Sequence, residues 1–198
     1  MQLAKPFRIE PSPGPPAEAA LALWNLDEAR RRTLAYVSRA DPDTGEVDEI
    51  GAEALDLRPA GHRHSVATLL YHIAVFEMDW LFTDILGRPE DGERVLPGMD
   101  EHLLPFFPYP ILQPDRAYTP VRGESVGVHL ERLKASRAAF NDVVSAMSLD
   151  EFRQDRASGD PDSTVAAEWV VMHLCQHEAE HRGQIWEARV AAEKELAR

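Results

Sequence analysis

Three histidines stand at four-residue intervals near the end of the chain. His173, His177 and His181 occur in the string HLCQHEAEHRGQ. In an α-helix, residues four apart lie about one turn apart, so the three side chains would face approximately the same way. Two histidines with this spacing can hold one metal ion, because both imidazoles reach the same point. The spacing therefore indicates a metal site, and zinc and nickel both accept imidazole nitrogen. Taken singly, each histidine is more often a hydrogen-bonded core or surface residue.

A further histidine, His72, lies in the most apolar segment of the chain. Its neighbours include Leu69, Leu70, Ile73 and Phe76. A neutral imidazole buried in such surroundings needs partners for its ring nitrogens. This histidine is therefore a second candidate for the same kind of chemistry.

The composition limits the classes of protein to which the chain can belong. It has 198 residues, of which 44% are hydrophobic and 28% are charged, so we predict a single folded domain over residues 1–198. Its net charge of −13 would repel phosphate backbones and anionic lipids. We therefore expect neither a nucleic-acid partner nor a membrane partner. Cys175 is the only cysteine, which excludes an intrachain disulfide and favours a cytoplasmic location. We find no signal peptide, and no apolar run of the length of a membrane span.

The periodicity predicts four long helices that would position these histidines. They cover residues 17–39, 65–86, 124–147 and 163–196, with Ser65 as the N-cap of the second. No convincing strand pattern occurs, so the predicted fold class is all-α, a four-helix bundle. Residues 1–16 form a proline-rich N-terminal tail, and residues 87–123 form a proline-rich link between helices 2 and 3. That link is long enough to cross the length of helix 2, so helices 2 and 3 could run parallel.

Two strings of sequence carry a resemblance to a known family. HSVATLLYHIAVFE (residues 64–77), followed much later by HLCQHEAEHRGQI (residues 173–185), resembles the DinB/YfiT-like superfamily, and the resemblance covers most of the chain. It implies an up-down-down-up four-helix bundle and a metal site of His72, His177 and His181. It also implies that a homodimer is common among such proteins.

Three histidines leave one tetrahedral position of a metal open, which is the catalytic pattern. A water bound there would be acidified, and a thiol would become a thiolate. The resemblance extends to thiol-dependent S-transferases of the bacillithiol or glutathione class and to mycothiol-dependent maleylpyruvate isomerase. We therefore expect a zinc- or nickel-dependent enzyme that transfers a low-molecular-weight thiol to a small electrophilic molecule, or hydrolyses it. The alternatives are a non-catalytic stress or detoxification protein that binds metal or a small ligand, and a dimeric scaffold with vestigial histidines.

Several residues near the histidines have more than one interpretation. Gln184, three residues past His181, could orient a substrate or a metal-bound water, or be a surface amide. Asp79 and Glu180 could support a histidine or form ion pairs. His173 is the rival metal ligand, although a supporting or core position is favoured for it.

The remaining candidates have structural interpretations. We expect Gly183 to permit close helix approach, and Cys175 to be a small buried residue that points away from the site. The aromatic residues of the link could wall a pocket, but packing of the link onto the bundle is favoured: Phe106, Phe107 and Tyr109. Four histidines are expected at the surface, at caps or in loops, and His102 is the least certain because its loop could fold over the metal: His62, His64, His102 and His129.

Overall fold

The computed structural model describes residues 9–11, 13–40, 45–88, 99–158 and 162–198. The described chain is mostly helical, and α3 continues as a π-helix over Trp80–Ile85. The predicted tail at 1–16 and the predicted link at 87–123 lie partly outside the described residues. The α-helices are α1 (Ala17–Leu34), α2 (Ala52–Asp56), α3 (Val66–Asp79), α4 (Val126–Ser145), α5 (Leu149–Arg153) and α6 (Ala167–Leu196).

Short strands occur where the sequence predicted helix or loop. Strand β1 (Ser38–Ala40) pairs antiparallel with β2 (Val47–Glu49), and β3 (Arg156–Ala157) pairs with β4 (Thr164–Val165). The first helix therefore ends at Leu34 instead of residue 39, and the last begins at Ala167 instead of residue 163. Strands of two or three residues are too short to show an alternating pattern, which explains why the sequence did not predict them.

The sequence explains where the two central long helices begin. Ser65 caps α3 by accepting a hydrogen bond from the backbone N–H of Thr68 at 3.2 Å, as predicted. Ser125 caps α4 in the same way through the N–H of Val128, one residue later than the predicted start. The four longest helices pack together, with α1 against α4 and α6, and α3 against α4 and α6.

Helix α3 and its π-helical continuation form the most apolar part of the described structure. By length and composition alone, the segment Val66–Ile85 could cross a membrane, contrary to the expectation that no segment would qualify. However, 78% of its most apolar stretch is buried inside the fold, as in the core helix of a soluble protein.

A buried ion-pair network links the four long helices. We define it as Arg30 of α1, Glu77 of α3, Arg137 of α4 and Glu178 of α6, each at most 7% exposed. Arg30 contacts Glu178 at 2.8 Å and Glu77 at 3.1 Å. Arg137 contacts Glu77 at 2.6 Å and Glu178 at 3.2 Å. Each charge therefore has two partners of opposite sign.

Electrostatics favours the charged forms of Glu77 and Arg137 in this network. Burial alone would raise the pKa of Glu77, but the charges of Arg137 and Arg30 and a hydrogen bond from Ser136 outweigh it, so the pKa is lowered. Burial alone would lower the pKa of Arg137, but the charges of Glu77 and Glu178 raise it. Each ion pair that joins the four helices thus depends on the other residues of the network.

The link before α4 is packed onto the bundle. Phe107 is buried, and the hydroxyl of Tyr71 donates to the carbonyl of Tyr109 at 2.5 Å. Arg132 of α4 donates to the carbonyl of Phe106. The aromatic residues therefore take the favoured role of packing the link against α3 and α4.

We predict that Glu77→Gln lowers the free energy of unfolding by about 3–5 kcal/mol, because it leaves two buried arginines short of a partner. Glu131→Gln is the matched control: its contact with Lys134 is exposed, so its loss should cost less than about 1 kcal/mol. Urea unfolding of both variants measures the difference. Equal stability of the two variants would contradict a structural role for the network.

Candidate metal centre

Two helices bring three histidines to one point, and we call these residues the histidine cluster: His72 on α3, and His177 and His181 on α6. The Nε2 atom of His177 lies 3.1 Å from Nε2 of His72 and 3.1 Å from Nε2 of His181. One ligand atom from each side chain lies within 4.8 Å of the others. The structure therefore brings together all three residues that the family resemblance implied as ligands.

Burial keeps these imidazoles neutral. Together with the neighbouring imidazoles, burial lowers the pKa of His72 to about 2 and that of His177 to about 3. Burial also lowers the pKa of His181. Neutral imidazoles have free lone pairs at pH 7, and a metal ion needs its histidine ligands in this form.

A glutamine sets the orientation of one ring. Oε1 of Gln184 lies 2.9 Å from Nδ1 of His181. A carbonyl oxygen only accepts hydrogen bonds, so in this orientation Nδ1 carries the proton and Nε2 turns its lone pair toward the cluster. Gln184 thus contacts a candidate ligand, whereas the sequence suggested a contact with substrate or water.

The donor geometry suits one metal ion. Nitrogens of a tetrahedral zinc site with Zn–N bonds of about 2.0–2.1 Å lie about 3.3 Å apart. The two Nε2 separations of 3.1 Å need only a small outward movement to reach that value. Nδ1 of His72 is buried without a hydrogen-bond partner among the described residues. These features fit a metal held through the Nε2 atoms.

Aromatic rings enclose the histidine cluster. The ring of Tyr118 stacks on that of His72, with centroids 3.6 Å apart, and on that of His64 at 4.4 Å. Phe76 packs against His72 at 4.1 Å. No sequence pattern pointed to Tyr118, because it lies in the non-periodic link. His64 lies in the loop before α3, within the expected surface, cap or loop positions, and it is half-buried beside the cluster.

The other candidate residues near the cluster lie outside it. His173 stacks on Trp169 at 4.9 Å, and its ring lies 6.2 Å from that of His177. Asp79 accepts a hydrogen bond from Thr83 on the same helix, and Glu180 is exposed. Thus His173 lies outside the three-histidine group, in agreement with the favoured interpretation.

Two expectations about structural residues were wrong. His129 is fully buried, not at a surface, cap or loop: its Nδ1 lies 3.1 Å from a nitrogen of Arg132. His129 occupies a buried position of α4 between Val126 and Leu133. It was not predicted there because histidine is polar. A Cβ on Gly183 would meet no atom within 4 Å, so this glycine does not permit a close helix approach.

The remaining candidate residues are Cys175, His102 and His62. Cys175 is half-buried, and burial raises the pKa of its thiol to about 11, so it is not a reactive thiolate. His102 is exposed, and His62 is half-buried.

A helical bundle with a buried cluster of histidines is the class of protein that these observations define. The family model of the DinB superfamily matches residues 25–185, and the chain belongs to that superfamily. A conserved protein from Enterococcus faecalis, known from a crystal structure, is similar with a TM-score of 0.58 and 18% identity, over 87% of this chain and 95% of that chain. This likeness shows the fold alone. No curated protein matches the chain significantly.

We predict that the metal-free protein loses stability as the pH falls below about 6.5. The pKa of His72 is about 2 in the fold, so the unfolded chain binds the extra proton. Its contribution is therefore complete above the unfolded pKa and is lost as the pH falls toward the folded one, by up to about 2 kcal/mol at pH 5. His72→Gln should weaken this pH dependence in urea unfolding.

The matched control is His102→Gln, which replaces an exposed histidine and should keep the wild-type pH dependence. An unchanged slope in His72→Gln would show that this imidazole does not contribute.

Proposed function

We propose that the chain is a metal-dependent enzyme that acts on a small electrophilic molecule, with zinc or nickel held by His72, His177 and His181. The observation that carries the proposal is the convergence of the Nε2 atoms, with two separations of 3.1 Å. The neutral state of the rings and the hydrogen bond that Nδ1 of His181 donates to Gln184 support it. When bound, the metal would acidify a thiol or a water at its open position.

The residues of the chain would prepare this centre for reaction. Gln184 holds the ring of His181 so that its lone pair faces the cluster. Tyr118 and Phe76 cover the ring of His72 and limit the access of bulk water. We propose thiol-dependent S-transfer, with a low-molecular-weight thiol as co-substrate, or hydrolysis as the reaction class.

The up-down-down-up course of the four long helices belongs to the same proposal. Contacts between α3 and α4 advance together, from Tyr71 with Arg132 to Glu77 with Arg137, which supports a parallel pair. Contacts between α3 and α6 advance in opposite directions, from His72 with His181 to Trp80 with Trp169. This course makes the link cross the bundle near the cluster.

A second candidate function is non-catalytic binding of a metal or small ligand in a stress or detoxification role. The close cover of Tyr118 over His72 favours it, because storage needs no open path to the metal. Under both proposals, the protein is a cytoplasmic homodimer that binds neither nucleic acid nor membrane.

We predict that tag-free protein purifies with about one divalent metal ion per chain, measured by plasma mass spectrometry. His181→Ala should lose most of this metal, because two histidines bind far more weakly than three. His173→Ala is the matched control on the same helix and should keep it. Wild-type protein that takes up no zinc or nickel after purification and dialysis against either ion would overturn the metal proposal.

We predict turnover when the metal-loaded protein is given mycothiol, bacillithiol or glutathione with a model electrophile such as a chlorinated dinitrobenzene. His72→Ala should reduce the rate by about a hundredfold or more, since a thiol is mostly protonated without the metal. An ester and amide panel without thiol tests hydrolysis. Stoichiometric metal with no turnover in either panel would favour the binding function.

A further inference from the structure

Basic side chains gather beside the histidine cluster, although the chain as a whole is strongly acidic. A cavity of about 670 Å³ is lined by Arg63 and Arg116, together with His64 and Tyr118. An adjoining cavity of about 210 Å³ shares Arg63 and adds four polar or basic lining residues: Arg58, Arg122, Ser65 and Thr68. Among the residues that line the two, one carboxylate occurs, that of Glu187 in the larger cavity.

These arginines lack the carboxylate partners that occupy other arginines of the chain. In the described part of the chain, Arg58, Arg63, Arg116 and Arg122 form no ion pair, in contrast to the arginines of the buried network. Their positive charge acts in the cavity: burial and His181 lower the pKa of His64, and the charges of Arg63 and Arg58 lower it further. In a chain of net charge −13, unpaired arginines around one opening mark a place suited to an anion.

The larger cavity adjoins the histidine cluster. Tyr118 lines the cavity and stacks on His72 at 3.6 Å, while Gln184 lines it and contacts His181 at 2.9 Å. One layer of side chains thus separates the cavity from the candidate metal ligands. A molecule bound there would lie next to the metal centre.

The backbone of Arg116 adds an independent observation. Its φ is +65°, in the left-handed region that favours glycine, and it is the sole non-glycine residue of the described chain with a positive φ. Hydrogen bonds hold the turn: the N–H of Arg116 donates to Gln113, and Asp115 accepts from Ala117. A residue kept in a costly conformation beside a cavity points to a role for its side chain.

We propose that these two cavities bind a small organic anion, with a carboxylate or phosphate group held by Arg63 and Arg116. The guanidinium fork pairs with either group through two hydrogen bonds. A small organic anion is thus the substrate class that we propose for the enzyme. The role of this site in the reaction rests on the proposed function. Anion binding itself does not require the metal.

Calorimetric titration of full-length, EDTA-treated protein with succinate tests the proposal, and succinamide is the uncharged isostere. Succinate should bind, more weakly as salt is added, and succinamide should not. Arg63→Gln and Arg116→Gly should each weaken binding about tenfold or more, because each removes a charge-assisted hydrogen bond. Inorganic phosphate in a parallel titration shows which anionic group is preferred, and binding of either anion that depends on the arginines supports the site.

Three matched variants separate a binding effect from a folding effect. Arg116→Gly should keep or raise the melting temperature while affinity falls, because glycine relieves the positive φ. Arg63→Lys keeps the charge and should retain more affinity than Arg63→Gln. Arg31→Gln, which removes an exposed arginine of α1 that pairs with Glu28 and lines neither cavity, should match the wild type. Equal binding of succinamide, wild-type affinity in the Arg63→Gln, Arg116→Gly double variant, or no binding of either anion would overturn the proposal.

The metal proposal and the anion proposal can fail separately. His181→Ala should keep its affinity for succinate, because the arginines and not the metal hold the anion. Loss of succinate binding in that variant would place the anion at the histidine cluster and overturn the separate site. Absence of metal from the wild type would refute the metal centre and leave the titrations interpretable.

Discussion

The buried ion-pair network is the interaction on which the candidate site depends. Glu77 and Glu178 belong to the same two helices as the histidine cluster: Glu77 follows His72 by five residues, and Glu178 follows His177 directly. Both carboxylates must meet Arg30 and Arg137 at once, because an unpaired charge in this interior would be costly. A shift of α3 against α6 by one turn would break these pairs and separate His72 from its partners. The network therefore fixes the register in which the Nε2 atoms converge.

The site combines an apolar interior with charge at its edge. Burial makes the imidazoles of the cluster neutral, which suits them to bind a cation, while the arginines outside suit an anion. The cation site and the anion site are compatible because the stacked, uncharged rings of Tyr118 and His64 lie between them. A divalent ion and an organic anion could thus occupy neighbouring positions without either one requiring the protein to bury an uncompensated charge.

The parts of the site that depend on local spacing were predictable from the sequence. His177 and His181 are one turn apart on a single helix, so periodicity alone placed them together. The assignment of His72 came from the resemblance to a family, since nothing local connects residues 72 and 177. The ion-pair network was not foreseen, although Arg30 and Arg137 fall on the apolar stripes of their helices, because periodicity does not report which charges meet across helices. The strands β1 to β4 and the position of Tyr118 depend on tertiary contacts, which periodicity does not report.

The distance along the chain between the two halves of the site has a consequence for how the protein folds. His72 and His177 are 105 residues apart, and Arg30 and Glu178 are 148 residues apart. Contacts of such separation form only after long loops have closed, so they belong to the slow part of folding. During synthesis, the first helices emerge with an apolar α3 and with an Arg30 that lacks its partner Glu178 until α6 is made. The complete three-histidine centre therefore cannot form in the early steps of folding. A metal bound to it would stabilise a chain that has already reached its native topology.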